Sequence, residues 1–372
     1  MRVAIVHDYL TQMGGAERVL DALHAIFPDA PVFTSVVDEA VLPNAWKDWD
    51  IRPSLLSGLP RAERWHRSVP PVYPALFRGF RRVLRDYDLV LSDTSAWAHQ
   101  ATAGTGKIHV SYCHSPARFL YRDDAYLGPA RVHPLLRPVM RGIFSILRRV
   151  DRQAAGRVDR YVANSNTVRE RIKAAYGVDA AVVYPPVDVS RIGAVAETVP
   201  AAPEDWYVVV SRLVPHKRVD LAVAAFNRLG MPLKIVGEGR AIERLRELAR
   251  PNIEFLGRQS DEAVAELLGR SRGLILPAKE DFGITAVEAQ AAGRPVIALD
   301  AGGAQESVLP GVTGVLFPNS TPESLRDAVT SAEEHDWDRS TIRAHARRFD
   351  RDVFMQDMRA EIDAAMMARL EK

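Results

Sequence analysis

Continuous apolar runs alternate along the chain with stretches in which apolar residues recur every three or four positions. The runs are typical of strands buried in a parallel sheet, and the recurrence is typical of helices packed on that sheet. The first pair is "RVAIVHDY" (2–9) and "MGGAERVLDALHAIF" (13–27), in which a glycine-rich turn opens an amphipathic helix. This order predicts the first unit of a doubly wound α/β sheet.

Both halves of the chain continue the alternation. Strand candidates in the first half are 31–37, 88–94, 107–114, 160–165 and 180–188. A helix is predicted at 165–177, which Ser165 or Asn166 can cap and Gly177 can end. Strand candidates in the second half are 206–213, 233–239, 253–257, 273–277, 295–299 and 313–318. Helices are predicted between them at about 217–229, 240–250, 261–271, 283–292 and 303–308. Residues 190–204 are small, polar and proline-containing, which predicts a linker. We therefore expect two α/β domains, with a ligand in the cleft between them at the carboxyl ends of the strands.

Length and composition agree with two globular domains. The 372 residues exceed one ordinary core, and 47% hydrophobic with 26% charged residues is typical of a soluble protein. Cys113 is the one cysteine, so no disulfide can form within the chain and we expect a cytoplasmic location. The first apolar run is too short for a signal peptide, and no apolar window of about 18 residues predicts a membrane span.

Arginine is concentrated in two stretches. Residues 51–90 contain eight Arg and three acidic residues, and residues 131–160 contain eight Arg and two acidic residues. Within 137–152, arginines separate apolar residues at helical spacing, namely Val139, Ile143, Ile146, Leu147 and Val150. Such a helix can lie on an anionic membrane surface. An ordinary helix with an apolar core side and a solvated basic side explains the same pattern, and both interpretations stay open.

Two cations follow the first strand of the second half. In "SRLVPHKRVD" (211–220), Arg212 and Lys217 lie on either side of a turn that contains Pro215. A guanidinium binds phosphate oxygens as a fork, and an ammonium adds a mobile point charge. The alternative is two surface cations at a strand end.

Two glutamates lie around the predicted start of a helix in "LPAKEDFGITAVEAQAAGRPVIALD" (276–300). Glu280 falls in the loop after a strand, Gly283 allows close backbone approach, and Glu288 lies just over a turn inside the helix. A helix N-terminus offers unpaired N–H groups to an anion, and a carboxylate can accept hydrogen bonds from two neighbouring hydroxyls. The segment therefore suits a phosphorylated sugar or a ribose. In the alternative interpretation, Glu280 is a plain N-terminal charge and Glu288 an exposed helix acid.

The whole of "EDFGITAVEAQAAGRPVIA" resembles the signature of the retaining glycosyltransferase family four, whose fold is GT-B. Further similar segments are "HDYLTQMGGAERVL", "CHSPARFLY", "SNTVRERIKAAYGVDAAVVYPPVD", "SRLVPHKRVD", "VGEG" and "GVTGVLFP". The chain is similar in particular to bacterial mannosyltransferases of O-antigen and exopolysaccharide synthesis. The resemblance implies two Rossmann-like domains facing across a cleft: an acceptor-binding domain at 1–190, completed by a crossover helix at 351–371, and a nucleotide-sugar-binding domain at 191–350.

The resemblance also implies roles for residues of the second domain. Arg212 and Lys217 would hold the donor diphosphate, Glu288 the ribose hydroxyls, and Glu280 the hydroxyls of the transferred sugar. Backbone amides would face the sugar and phosphate around Phe282, Gly283 and Ile284. The base would stack near Gly237 and be read by backbone from Leu256 to Arg258.

In the first domain, the resemblance implies that Gly14 and Gly15 approach the diphosphate or the acceptor, and that His114 lies by the reacting sugar. A histidine at a strand end is otherwise more often structural. The chain departs from the family at Asp300 and Ala301, where related enzymes often carry a basic residue. The sugar and phosphate contacts at that point therefore stay open.

The implied activity is transfer of a hexose with retention of configuration, with mannose from GDP-mannose as the first choice and a UDP-sugar as the alternative. The implied acceptor is a polyprenyl-diphosphate-linked or other glycan, which favours peripheral contact with the inner membrane face through 51–90 and 137–152. Arg212, Lys217 and the helix N-terminus would stabilise the leaving diphosphate, so no metal, cofactor or nucleic acid is expected.

Two other classes of function remain. A nucleotide-sugar 2-epimerase of the same fold would need extra acids and would consume the donor without an acceptor. A catalytically silent sugar-nucleotide-binding protein would not need all of Arg212, Lys217, Glu280 and Glu288.

Overall fold

The computed structural model describes residues 1–101, 107–121 and 137–371. The chain divides into two compact units. The N-terminal unit comprises Met1–Tyr184 and Phe354–Lys372, and the central unit comprises Pro185–Val353. Each unit contains a parallel sheet with helices, so the predicted α/β class is confirmed.

The sheet of the N-terminal unit has seven parallel strands in the order β3-β2-β1-β4-β5-β6-β7. Their bounds are Val3–His7 (β1), Val32–Thr34 (β2), Ile51–Pro53 (β3), Leu89–Thr94 (β4), Ile108–Cys113 (β5), Arg160–Ala163 (β6) and Ala180–Val182 (β7). The sequence patterns predicted all of these strands except β3, whose residues are exposed or half-buried and so lack an apolar run. The sheet order reverses between β1 and β4, which are direct neighbours with Val3 opposite Leu89.

Helices of the N-terminal unit connect these strands. Their bounds are Gly15–Ile26 (α1), Ala62–Trp65 (α2), Tyr73–Gly79 (α3), Arg81–Leu84 (α4), Arg118–Tyr121 (α5), Arg137–Ala155 (α6) and Asn166–Tyr176 (α7). Short 3-10 helices cover Glu39–Val41, Asn44–Trp46, Leu55–Gly58, His66–Ser68, Pro70–Val72 and Ala98–Gln100. The boundaries of α7 follow the predicted signals, because Ser165 accepts a hydrogen bond from the Val168 N–H and Gly177 adopts a left-handed conformation with φ 73°.

The sheet of the central unit has six parallel strands in the order β10-β9-β8-β11-β12-β13. Their bounds are Tyr207–Val210 (β8), Leu233–Val236 (β9), Ile253–Gly257 (β10), Leu274–Leu276 (β11), Val296–Leu299 (β12) and Gly314–Phe317 (β13). All six confirm the predicted strands. The chain runs outward from β8 in one direction and from β11 in the other, so the topological switch point of this sheet lies between β8 and β11.

Helices of the central unit lie between its strands and after them. Their bounds are Val189–Glu197 (α8), Val219–Leu229 (α9), Ile242–Leu248 (α10), Asp261–Arg270 (α11), Ile284–Ala291 (α12), Ala304–Ser307 (α13), Pro322–Glu333 (α14) and Arg339–Ala346 (α15). Short 3-10 helices cover Pro215–Lys217 and Arg347–Phe349.

The predicted linker at 190–204 is wrong over most of its first half. Helix α8 covers Val189–Glu197 and belongs to the central unit. Asp188 caps this helix by accepting a hydrogen bond from the Arg191 N–H, and Val189, Ile192 and Ala196 are buried. The boundary between the units accordingly falls at Tyr184, ahead of residue 190.

The last helix, Arg351–Leu370 (α16), completes the core of the N-terminal unit. Four of its residues lie in the same hydrophobic cluster as β1, β4 and β5, namely Phe354, Met358, Ile362 and Ala365. Arg160 of β6 also pairs with Glu361. The N-terminal unit therefore consists of two segments that are far apart in sequence.

Candidate functional site

The loop after β8 places the two predicted phosphate-binding cations at the carboxyl end of a central strand. Arg212 is exposed, and the Lys217 side chain is 20% exposed. Leu213 between them is fully buried, and its N–H donates to the Glu238 carbonyl at 2.8 Å. This buried residue holds the loop against the end of β9 and leaves the arginine on the surface.

The loop after β11 carries Glu280 and leads into α12. Phe282 is buried and packs edge to face on Phe349, and Gly283 precedes the helix with φ 89°. The N-cap residue of α12 is Gly283, which has no side chain to accept a hydrogen bond from the first turn. The first turn therefore presents backbone N–H groups and the positive end of the helix dipole next to Glu280.

Lys217 and Glu280 form an ion pair across the switch point of the sheet. The Lys217 ammonium lies 2.7 Å from Oε1 and 2.6 Å from Oε2 of Glu280, so both carboxylate oxygens contact one cation. The pair joins the loops of the neighbouring strands β8 and β11. Glu280 is thus more than a plain N-terminal charge: it opposes a cation predicted to bind phosphate.

Glu288 is buried, with 5% of its surface exposed. It lies in the middle of α12, among Val287 and Ala289, which are also buried. The interpretation of Glu288 as an exposed helix acid is therefore wrong. Burying a carboxylate costs free energy unless polar groups bind it. A buried acid at this position therefore indicates a specific role for Glu288.

The loop after β9 approaches the loop after β8 so closely that it requires glycine. A Cβ on Gly237 would lie 1.9 Å from the Ser211 carbonyl oxygen, and one on Gly239 would lie 2.3 Å from that of Leu213. Gly237 also donates its N–H to the Gly257 carbonyl at 2.8 Å. This contact brings the end of β10, which the exposed Arg258 follows, beside Gly237, as the sequence interpretation requires for a base-binding surface.

Gly302 and Gly303 brace the Glu280 loop, a role that the sequence interpretation missed. The Gly303 N–H donates to the Glu280 carbonyl at 3.0 Å, and Gly302 forms a β-bridge with Glu280. A Cβ on Gly303 would lie 2.1 Å from the Phe282 Cα. The detectable signal was the glycine pair after β12. The departure noted at Asp300 is an exposed carboxylate that accepts a hydrogen bond from Gln305 at 2.9 Å.

Gly303→Ala is expected to destabilise the central unit by about 1–3 kcal/mol, because the added methyl group must push the Phe282 backbone aside. Nucleotide affinity should fall with it, since the same loop leads into the N-terminus of α12. Thermal unfolding and nucleotide titration measure the two effects. Gly142→Ala is the control, because a Cβ there has no heavy atom within 4 Å. A Gly303→Ala variant as stable as the parent would contradict the bracing role.

The N-terminal unit gathers its predicted residues at the carboxyl edge of its own sheet. Gly14 is the N-cap of α1 and Gly15 its first residue, in the connection that follows β1. His114 directly follows β5, and its ring is 14% exposed. His7 and Asp93 lie beneath them at the ends of β1 and β4 and were not predicted. Nothing in the sequence singled them out beyond their position at strand ends.

No group of three His, Cys, Asp or Glu residues with the geometry of a metal site occurs within residues 1–101, 107–121 and 137–371. In the same part of the chain, no helix is both long and apolar enough to cross a bilayer.

Comparison with protein families matches two consecutive segments. The model described as "Glycosyltransferase Family 4" matches residues 13–191, and "Glycosyl transferases group 1" matches residues 196–349. Together these segments include every candidate residue named above.

Two curated relatives illustrate the range of named activities. A D-inositol 3-phosphate glycosyltransferase of Mycobacteroides abscessus is 30% identical over 213 residues, covering 52% of this chain and 47% of the relative. A GDP-mannose-dependent alpha-(1-6)-phosphatidylinositol monomannoside mannosyltransferase of Mycobacterium tuberculosis is 32% identical over 216 residues, covering 50% and 55%. The chain spans about half the length of the curated relatives it matches.

Among solved structures, Anabaena Alr3699/HepE in complex with UDP and glucose superposes with a TM-score of 0.72 at 20% identity. The superposition covers 98% of this chain and 99% of the other. At this level of identity the likeness supports the fold alone. With two Rossmann-like units and both family matches, the chain belongs to glycosyltransferase family 4 and has the GT-B fold.

Proposed function

We propose that the protein transfers a hexose from a nucleotide diphosphate sugar to a glycan acceptor, with retention of anomeric configuration and without a metal. The observation that carries the proposal is the Lys217–Glu280 pair at the β8/β11 switch point, beside the N-terminus of α12, whose N-cap is Gly283. Ligands of open α/β sheets bind at such a point. A cation, a helix N-terminus and a carboxylate together suit a diphosphate joined to a polyol.

The charges at this edge suit a diphosphate leaving group. Arg212 and Lys217 supply two cations, and the first turn of α12 supplies aligned amides. Charge builds up on the β-phosphate as the sugar–oxygen bond breaks, and preorganised donors stabilise that charge. Lys217 can meet it after exchanging Glu280 for a phosphate oxygen.

The two glutamates would take the hydroxyls of the donor. Freed from Lys217, Glu280 can accept hydrogen bonds from the transferred sugar. Glu288 would accept them from the ribose, since it lies deeper on the same helix. The roles of His114, Gly14 and Gly15 stay predictions from the family resemblance.

The reaction would proceed on one face of the sugar. An acceptor hydroxyl oxygen forms the new bond to the anomeric carbon as the bond from that carbon to the diphosphate oxygen breaks. The hydroxyl proton passes to a β-phosphate oxygen, so no enzymic nucleophile is required. The residues named above bind and orient the donor and stabilise the charge that leaves with it.

GDP-mannose is the first choice of donor, supported by the named activity of the Mycobacterium tuberculosis relative. A UDP-sugar is the second choice; UDP and glucose are the ligands of the Anabaena structure, whose likeness to this chain supports the fold alone. Both choices use the same diphosphate and ribose contacts and differ in the base and the sugar.

The acceptor would be a lipid-linked glycan reached at the surface of a membrane. In α6, Phe144 and Leu147 enter the core, as the ordinary-helix interpretation expects. Val139 and Ile146 are 59% and 66% exposed, and Arg141 and Arg149 are exposed with them. Leu55, within 51–90, is 95% exposed. Exposed aliphatic and basic side chains together suit an anionic lipid surface.

The triple variant Arg141→Gln, Ile146→Gln, Arg149→Gln should bind anionic vesicles at least tenfold more weakly, since each arginine near such a surface contributes about 1 kcal/mol. Sedimentation with phosphatidylglycerol vesicles measures the binding. The control is Arg228→Gln with Arg326→Gln, which removes two charges from half-exposed positions of the central unit. If the triple variant binds vesicles as tightly as the parent protein, α6 is an ordinary core helix and does not bind the membrane.

Thermal stabilisation by nucleotides tests the proposed function. The panel is GDP, UDP, ADP, GDP-mannose, UDP-glucose and UDP-N-acetylglucosamine without added metal. A ligand at 100 times its Kd adds roughly 2.7 kcal/mol to the free energy of unfolding. A selective response to GDP and GDP-mannose supports the first donor, and a response to UDP compounds supports the second. No response to any would contradict a nucleotide-sugar enzyme, and donor consumption without an acceptor would favour an epimerase.

A further inference from the structure

Four ionisable side chains form a series beneath the β1/β4 switch point of the N-terminal unit. His114 Nε2 lies 2.6 Å from Asp93 Oδ1, and His7 Nδ1 lies 2.9 Å from Asp93 Oδ2. On its other side, His7 Nε2 lies 3.8 Å from Glu17 Oε1. Glu17, His7 and Asp93 are all buried, with at most 3% of their side chains exposed, whereas His114 reaches the surface.

The two oxygens of Asp93 are divided between the two imidazoles. An ionised carboxylate only accepts hydrogen bonds, so the nitrogen that faces it must carry the proton in each ring. Burial opposes the ionisation of Asp93, but the charge of His114 and the hydrogen bonds from both rings outweigh it and hold the Asp93 pKa below its usual value. His114 therefore carries a proton on Nε2, and Nδ1 is the ring nitrogen that remains for a ligand.

His7 supplies the charge that keeps Asp93 ionised inside the unit. Burial alone would lower the pKa of His7, but the carboxylates of Asp93 and Glu17 outweigh burial and raise it to about 10. A buried carboxylate without a counter-charge would be costly, and an imidazolium on its second oxygen removes much of that cost.

Glu17 helps to stabilise the positive charge of His7. Its Oε2 is buried without a hydrogen-bond partner in the described part of the chain, and lies 3.3 Å from the position of a Cβ on Gly14. The carboxylate thus lies directly beneath the Gly14 turn. It faces His7 Nε2 from the side opposite Asp93, so His7 has a carboxylate near each ring nitrogen.

We propose that Glu17, His7 and Asp93 are a positioning relay for His114, which fixes the orientation of its ring so that Nδ1 can contact a hydroxyl of the substrate. None of the three touches the substrate: His7 and Asp93 act through His114, and Glu17 acts through His7. The proposal rests on the proposed transferase function for its kinetic consequence, but the state of the rings can be measured without turnover.

The test combines NMR of the full-length protein, labelled with 15N-imidazole histidine, with steady-state kinetics. The variants are Asp93→Asn, which keeps the shape but offers one acceptor oxygen to two N–H groups, and His7→Gln. His24→Gln is the matched control, because His24 is a buried histidine of the same unit that stacks on Trp49 outside the relay.

In the parent protein at pH 8, we expect His7 to be doubly protonated and the His114 ring to carry a proton on Nε2. Asp93→Asn should abolish the doubly protonated signal. Both relay variants should lower kcat at least tenfold with the nucleotide-induced thermal shift unchanged, whereas His24→Gln should lower stability alone.

The relay is contradicted if Asp93→Asn and His7→Gln behave like His24→Gln, losing stability with unchanged kcat and KM. It is equally contradicted if His7 is neutral in the parent protein. A parent protein that transfers no sugar from any donor refutes the proposed function instead, and the histidine signals then still decide whether the rings are fixed as described.

Discussion

Glu280→Gln should lower kcat by roughly 10- to 150-fold, the equivalent of one lost charge-assisted hydrogen bond of about 1.5–3 kcal/mol, without weakening the binding of a free nucleoside diphosphate. The reason is the ion pair with Lys217, in which both carboxylate oxygens contact the ammonium. A free diphosphate has to displace Glu280 from Lys217, so loss of the carboxylate charge removes a competitor. The sugar, in contrast, loses the carboxylate that would accept its hydroxyls.

Titration calorimetry with the nucleoside diphosphate and initial-rate kinetics with the complete donor measure the two effects. Glu334→Gln, an exposed acid of the same unit, is the control for charge alone. Equal losses in diphosphate affinity and in kcat would remove the sugar-binding role of Glu280. Unchanged kcat would refute it directly.

Arg212→Ala and Lys217→Ala should each weaken diphosphate binding by about 1.5–3 kcal/mol, because each removes a charged contact with phosphate. Arg212 is exposed and has no comparable tie to Glu280, so its contact is made without breaking an ion pair. The loss should shrink at high salt for both variants, since screening weakens these charges in the parent protein too. Arg326→Ala, at a half-exposed position of α14, should leave affinity unchanged.

A double-mutant cycle separates two effects: the competition between Glu280 and the diphosphate for Lys217, and the contact of Lys217 with phosphate. In the parent chain, the contact of Lys217 with phosphate is offset in part by the ion pair with Glu280 that has to break, whereas with Glu280→Gln no ion pair has to break. Lys217→Ala should therefore cost less binding free energy in a chain that retains Glu280 than in one with Glu280→Gln. Additive effects would mean that the two side chains act independently when the ligand binds. If both Arg212→Ala and Lys217→Ala bind the diphosphate normally, the phosphate site lies elsewhere.

The sequence predicted the regular part of the fold because apolar runs report burial directly. All six strands of the central sheet were predicted, and Ser165 is one of the two residues that the sequence offered as the cap of α7. Strand β3 was not predicted, because an exposed edge strand needs no apolar run. Helix α8 was not predicted, because its Gly and Ala residues and the prolines that follow suggested a linker. The missed signal was the helical spacing of Val189, Ile192 and Ala196.

The sequence predicted which residues belong to the candidate site, but it did not predict which of them contact each other. Motif spacing indicated a cation and an acid near one helix, but their contact depends on β8 and β11 being neighbours, which no local pattern encodes. The bracing by Gly303 and the ring contacts of Asp93 depend likewise on long-range packing. The burial of Glu288 is also a property of the packed sheet.

Helix α16 has a consequence for how the chain matures during synthesis. Its residues Phe354 and Met358 belong to the core that β1 and β4 began more than 250 positions earlier. During synthesis that core stays incomplete, with apolar surface exposed, until the residues of α16 have left the ribosome. The central unit has no such dependence, because its strands are consecutive in the sequence. We therefore expect a chain truncated after Val353 to contain a protease-resistant central unit and an N-terminal unit that chaperones still bind.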